Sequence, residues 1–68
     1  MTRLKINGVD EEVAAQTVAD LLAARGIDPK SRFLAVAVNG AVLRRAHWRD
    51  ITLAVGDSIE IVRPFQGG

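Results

Sequence analysis

No cysteine occurs in the chain. That absence removes disulfides, thiolate zinc sites, thiol nucleophiles and C-x-x-C redox chemistry together. A single histidine argues equally against a histidine-based zinc centre. Charge of one sign is not in excess either: the formal net charge is +1, so no strong global field draws in nucleic acid or a membrane surface. No apolar run approaches the length of a membrane span. The opening residues Met1-Thr2-Arg3-Leu4-Lys5 carry charge where a signal peptide needs an apolar stretch. The expectation is a cytoplasmic protein with no membrane and no nucleic-acid partner. The 68 residues allow one modest core, because a domain near this size buries only roughly 60% of the surface its unfolded chain exposes. A deep substrate pocket beside that core is not expected. Small chains often rely on disulfides or a metal. This one must rest on apolar packing, and its 49% hydrophobic content agrees.

What is present is a clear change of period along the chain. Arg3 to Ile6 alternate polar and apolar, the pattern of a half-buried strand. Asn7-Gly8 is a strong hairpin signal, because both residue types tolerate positive φ. A return strand through Val9 to Val13 follows, with Asp10, Glu11 and Glu12 solvated and able to face Arg3 and Lys5 across the hairpin. Val18, Leu21 and Leu22 then fall at helical spacing. Thr17 is a suitable N-cap, Asp20 suits the positive end of the helix dipole, and Gly26 with Pro29 beyond it ends the segment. A helix from about Val18 to Arg25 is predicted.

Leu34 to Val38 reads as a strand, with Leu34, Val36 and Val38 on one face and Ala35 and Ala37 on the other. Asn39-Gly40 turns it into a return strand, Ala41 to Leu43. Arg44 to Asp50 reads as a loop, and Leu53 and Val55 are expected to cap the core. Gly56-Asp57 turns into a last strand, Ser58 to Arg63, with Ile59 and Ile61 inward and Val62 outward. Pro64 ends it, since proline cannot donate to a ladder. The layout predicts an α+β domain: a mixed sheet of about five strands with one main helix across it. The first and last strands are placed in parallel at its centre. The globular domain is assigned to residues 1–64, and residues 65–68 to a flexible Gly-Gly tail.

This order is that of the β-grasp, or ubiquitin-like, fold. Val36-Ala37-Val38-Asn39-Gly40, Val55-Gly56-Asp57-Ser58-Ile59-Glu60-Ile61-Val62 and the final Gly67-Gly68 narrow it further. So do Ile6-Asn7-Gly8 and Thr17-Val18-Ala19-Asp20-Leu21-Leu22. Together they resemble the sulfur carrier of thiamine biosynthesis, the ThiS family, over essentially the whole chain. The resemblance implies a carrier that performs no catalysis. A ubiquitin-activating-like adenylyltransferase adenylates the Gly68 carboxylate. A sulfur donor such as a cysteine desulfurase supplies sulfur to give a thiocarboxylate, and a thiazole synthase accepts that sulfur. It implies no bound cofactor, ATP being used by the partner enzyme. The same fold and ending also serve the small subunit of molybdopterin synthase, carriers for other sulfur products, and ubiquitin-like modifiers joined to lysine.

The tail chemistry has a physical basis. A carboxylate is a poor electrophile until adenylation gives it a leaving group. Gly67 and Gly68 have no Cβ, so they can thread a narrow channel and adopt φ values closed to other residues. From Pro64 to Gly68 an extended chain reaches roughly 13 Å. Phe65 and Gln66 precede the glycines, and Phe65 either docks on a partner, sharing an outer face with Val62, or folds back onto the body. Arg44, Arg45, His47, Trp48 and Arg49 form the one basic and aromatic cluster. A nucleic-acid stacking patch is one reading of it. The preferred reading has Trp48 covering a core edge, with the arginines solvated or touching a partner. His47 has no visible nucleophile to serve. The carboxylates of Asp10, Glu11 and Glu12 lack calcium-loop spacing.

Overall fold

The architecture follows from where each apolar stripe is buried. In the computed structural model, which describes residues 1–63, strands β1 (Thr2–Ile6) and β2 (Val9–Val13) form the first hairpin. Helix α1 (Val18–Ala24) follows, then strands β3 (Ala35–Val38) and β4 (Ala41–Leu43), and finally strand β5 (Ser58–Val62). The sheet order is β2-β1-β5-β3-β4. As the sequence predicted, β1 and β5 run parallel at the centre, with Lys5 opposite Ser58 and Ile6 opposite Ile59. The other pairings are antiparallel. No helix among the described residues is long and apolar enough to cross a membrane.

Both hairpin turns use asparagine in the left-handed region followed by glycine, at φ 50 and 83 for Asn7-Gly8 and φ 52 and 84 for Asn39-Gly40. Each asparagine side chain has a second role. The Oδ1 of Asn7 accepts the Ile61 amide at 2.8 Å, which continues the β1–β5 ladder past the end of β1. The Oδ1 of Asn39 accepts the Ser58 amide at 2.9 Å, and its amide group donates to Asp57 Oδ1 at 3.0 Å. The central strand is therefore gripped at both ends by turn residues.

The helix begins where Thr17 accepts the Asp20 amide at 3.2 Å, with Arg25 as its C-cap. Val18, Leu21 and Leu22 are fully buried and join Leu4, Ile6, Val36, Ile59 and Ile61 in one cluster. That cluster also holds Ala15, Ile27, Leu34, Trp48 and Leu53. Across the first hairpin Arg3 pairs with Glu12 at 3.4 Å. Glu11 departs from the expectation for the three acidic residues: it accepts a hydrogen bond from Arg25 of the C-cap. Its register partner is Leu4, on the buried side of β1, so its carboxylate reaches the helix.

Three further expectations are corrected. Leu34 is buried as predicted but stands outside β3, because Phe33 before it has φ 64 and breaks the extended geometry. Val55 is 76% exposed and does not cap the core. Leu53 does so, held by its amide on the Gln16 carbonyl at 2.8 Å. Two residues later the chain turns, with the Gly56 amide on the Arg3 carbonyl at 2.9 Å, and Val55 is carried outward. The Arg44 to Asp50 loop contains a single 3-10 turn, Arg45–His47.

That turn seats Trp48 in the core, where it is 3% exposed, with its indole N–H donating to the Leu43 carbonyl at 2.9 Å. Arg45 is exposed, as expected, but its guanidinium is also engaged within the chain. Its guanidinium donates to the Pro29 carbonyl and, at 2.7 Å, to the Ser31 carbonyl, and lies 4.9 Å from the Trp48 ring centre. It ties the loop before β3 to the loop after β4. A ring so buried offers no platform for bases.

Candidate functional site

The predicted site lies where the chain leaves β5. Gly68, Gly67, Gln66 and Phe65 lie outside the described residues, as does the proposed boundary after Pro64. Val62 is described, at the end of the central strand and 59% exposed. Alternation along β5 puts Ile59 and Ile61 in the core and leaves Glu60 and Val62 on the opposite, outer face.

Register then defines what surrounds Val62. Ala35 is its direct partner on β3, Ala37 is opposite Glu60, and Ala37 is also opposite Val42 of β4. Directly paired residues share a face. Ala35, Ala37, Val42 and Val62 therefore share the outer face around the end of β5 with the Glu60 carboxylate among them, and Val42 is 75% exposed. The other half of the same face is charged, with Arg3 opposite Glu12 and Lys5 opposite Asp10. The expectation for Val62 as an outward residue stands, and Val42 is the residue that sequence reasoning overlooked. Its signal was present: in a hairpin closed by Asn39-Gly40, Val42 must share the face already assigned to Ala37.

On the inner side of the same end, a polar cleft of about 120 Å³ is lined by Asn7, Arg25, Ile27, Ile61 and Arg63. Two of its lining residues, Asn7 and Ile61, are joined by the hydrogen bond from the Ile61 amide to Asn7 Oδ1. Among the described residues lining this site, no nucleophile is paired with a base. The described part of the site is the end of β5, with an outer face of Ala35, Ala37, Val42 and Val62 and a polar cleft on the inner side. His47, 3.7 Å from Asp50 and exposed, belongs to the 3-10 turn and not to this site.

The ThiS family model matches residues 4–68, and so includes Gly67 and Gly68. The chain belongs to the ThiS family. It is similar to the thiamine biosynthesis protein ThiS of Geobacter metallireducens in its crystal structure. Identity is 28% and the TM-score 0.79, over 98% of this chain and 100% of the other. A solution structure of a thiamine biosynthesis protein from the same organism gives 28% identity and a TM-score of 0.79, over 98% of this chain and 88% of the other. No curated protein matches the chain in sequence. The β-grasp fold is thus the ThiS fold. Membership makes this chain a small sulfur carrier of thiamine biosynthesis, a carrier and not a catalyst.

Proposed function

We propose that Gly68 is the carrier atom's attachment point, adenylated by a ubiquitin-activating-like adenylyltransferase and converted to a thiocarboxylate that supplies sulfur for thiazole formation. The observation that carries this reading is the family match running through Gly67-Gly68. In the first step a Gly68 carboxylate oxygen attacks the α-phosphorus of ATP, and pyrophosphate leaves. The resulting acyl-adenylate has a neutral, electron-poor carbonyl and a stable leaving group. The terminal sulfur of a donor persulfide, such as that of a cysteine desulfurase, then attacks that carbon and AMP departs. A second thiol on the partner side cleaves the resulting acyl disulfide, forming a disulfide with the donor cysteine and releasing the Gly68 thiocarboxylate. A thiazole synthase takes the sulfur from the thiocarboxylate.

The protein's own contribution is mechanical. β5 is held by β1 and β3 and by both turn asparagines, so the tail starts from a stiff point. Gly67 and Gly68 carry no side chains that would obstruct a narrow entry. Phe65, Gln66 and Val62 are the residues a partner meets around the entry. The test is deletion of Gly68. ATP–pyrophosphate exchange by the adenylating enzyme should vanish, and the melting temperature should stay within a few degrees of the parent. Exchange that persists without Gly68 refutes the assignment.

A further inference from the structure

Phe33 has a conformation that the interior does not explain. Its φ of 64 lies in the left-handed region, where a side chain bearing a Cβ is strained. The other left-handed positions among the described residues are Asn7, Asn39 and glycines. Glycine bears no such strain. Both asparagines use their side chains in hydrogen bonds to the central strand. Phe33 does neither: its side chain is large and apolar, and the residue is 78% exposed. Strain without an internal contact to compensate it points outward, because such conformations cluster at binding and switch sites.

The position gives the direction. Phe33 stands two residues before Ala35, the register partner of Val62. It therefore lies within two residues of the strand end that borders Val62. Arg32 and Arg63, both exposed, adjoin Phe33 and Val62 in the chain. The stretch from Pro64 to Gly68 spans at most roughly 13 Å. A partner that takes Gly68 into a catalytic centre must bring its own surface over the root of the tail, within a few residues of Phe33.

We propose that Phe33 is a docking residue for the adenylating enzyme: its ring, with Ala35 and Val62, seats in an apolar socket rimmed by carboxylates at the entry through which Gly68 reaches ATP. This rests on the carrier reading above. Phe33 is a positioning residue, acting on binding and not on the acyl transfer.

The experiment measures ATP–pyrophosphate exchange by the cognate adenylating enzyme against carrier concentration, for the parent, Phe33→Gly and Phe33→Leu, with thermal melting of each. Phe33→Gly removes the ring while suiting the backbone, so its melting temperature should lie within a few degrees of the parent. Its half-saturating concentration should rise roughly tenfold, equivalent to about 1.4 kcal/mol, with the maximal rate unchanged. Phe33→Leu should recover most of the affinity. An unchanged half-saturation in Phe33→Gly overturns the proposal and leaves the carrier reading standing. So does a large loss of melting temperature, which would place the ring in the body's own packing. No exchange with the parent chain overturns the carrier reading and this proposal with it.

Discussion

Replacing Trp48 with alanine tests the internal architecture most severely. The side chain is 3% exposed, and its N–H satisfies the Leu43 carbonyl at 2.9 Å. Its ring also supports the Arg45 guanidinium at 4.9 Å. Truncating a buried aromatic side chain to alanine costs about 3–5 kcal/mol. A 68-residue domain has a total stability of roughly 3–10 kcal/mol at typical values per residue. The change therefore removes a large share of what holds the fold. At about 4–8 °C per kcal/mol for a domain of this size, the melting temperature should fall by at least roughly 12 °C. Trp48 is the sole tryptophan, so the assay is far-ultraviolet circular dichroism on heating, not intrinsic fluorescence. Trp48→Phe separates the two contributions: it keeps most of the apolar volume and loses the N–H donor, and should cost about 1–2 kcal/mol. A fall below about 5 °C for Trp48→Ala would refute the reasoning, because it would mean the indole is not a core element.

Asn39→Ala should lower stability by about 1–3 kcal/mol, since it leaves the Ser58 amide without its acceptor and puts a Cβ-bearing residue without side-chain compensation at positive φ; urea unfolding at constant m reads this directly. Glu12→Ala should change stability by less than about 0.5 kcal/mol, because its pair with Arg3 is exposed on both sides, and a larger loss by the same method would contradict that weight. Val62→Asp should leave melting within a few degrees and reduce ATP–pyrophosphate exchange several-fold, since the side chain lies on the outer face; normal exchange would remove Val62 from the partner surface. Gly67→Val should melt normally and lose exchange, because a branched side chain narrows φ/ψ freedom and widens the stalk; full exchange would show that the tail is not threaded.

The parts of the fold legible in the sequence are those with local causes. Asn7-Gly8 and Asn39-Gly40 announce their hairpins through backbone tolerance alone, and Val18, Leu21 and Leu22 announce the helix through spacing. Ile59 and Ile61 likewise give the face of β5, which in turn leaves Val62 outside. What escaped depends on distant or exceptional contacts. The Asn7 acceptor for Ile61 joins residues 54 positions apart, and no local pattern carries that. Arg45 reads as one of several surface cations until the fold brings the Pro29 and Ser31 carbonyls to it. Val55 is apolar and adjacent to a core residue, yet the turn at Gly56 swings it out. Phe33 carries no glycine or asparagine signal for its left-handed backbone, so the apolar alternation starts β3 one residue too early, at Leu34. Of the site, the sequence named Gly68, Gly67, Gln66, Phe65 and Val62 from the tail motif and alternation. Ala35, Ala37 and Val42 gain their meaning only once strand order sets them beside Val62.

The central claim is that Gly68 carries sulfur as a thiocarboxylate, and mass spectrometry of the loaded protein tests it most directly. The chain is incubated with its adenylating enzyme, ATP and a sulfur donor, and then measured intact and as its C-terminal peptide. The account predicts a mass change equal to one oxygen replaced by sulfur, confined to the C-terminal peptide and dependent on ATP. Sulfur on an internal side chain, or a ladder of lysine conjugates in place of the thiocarboxylate, would contradict it.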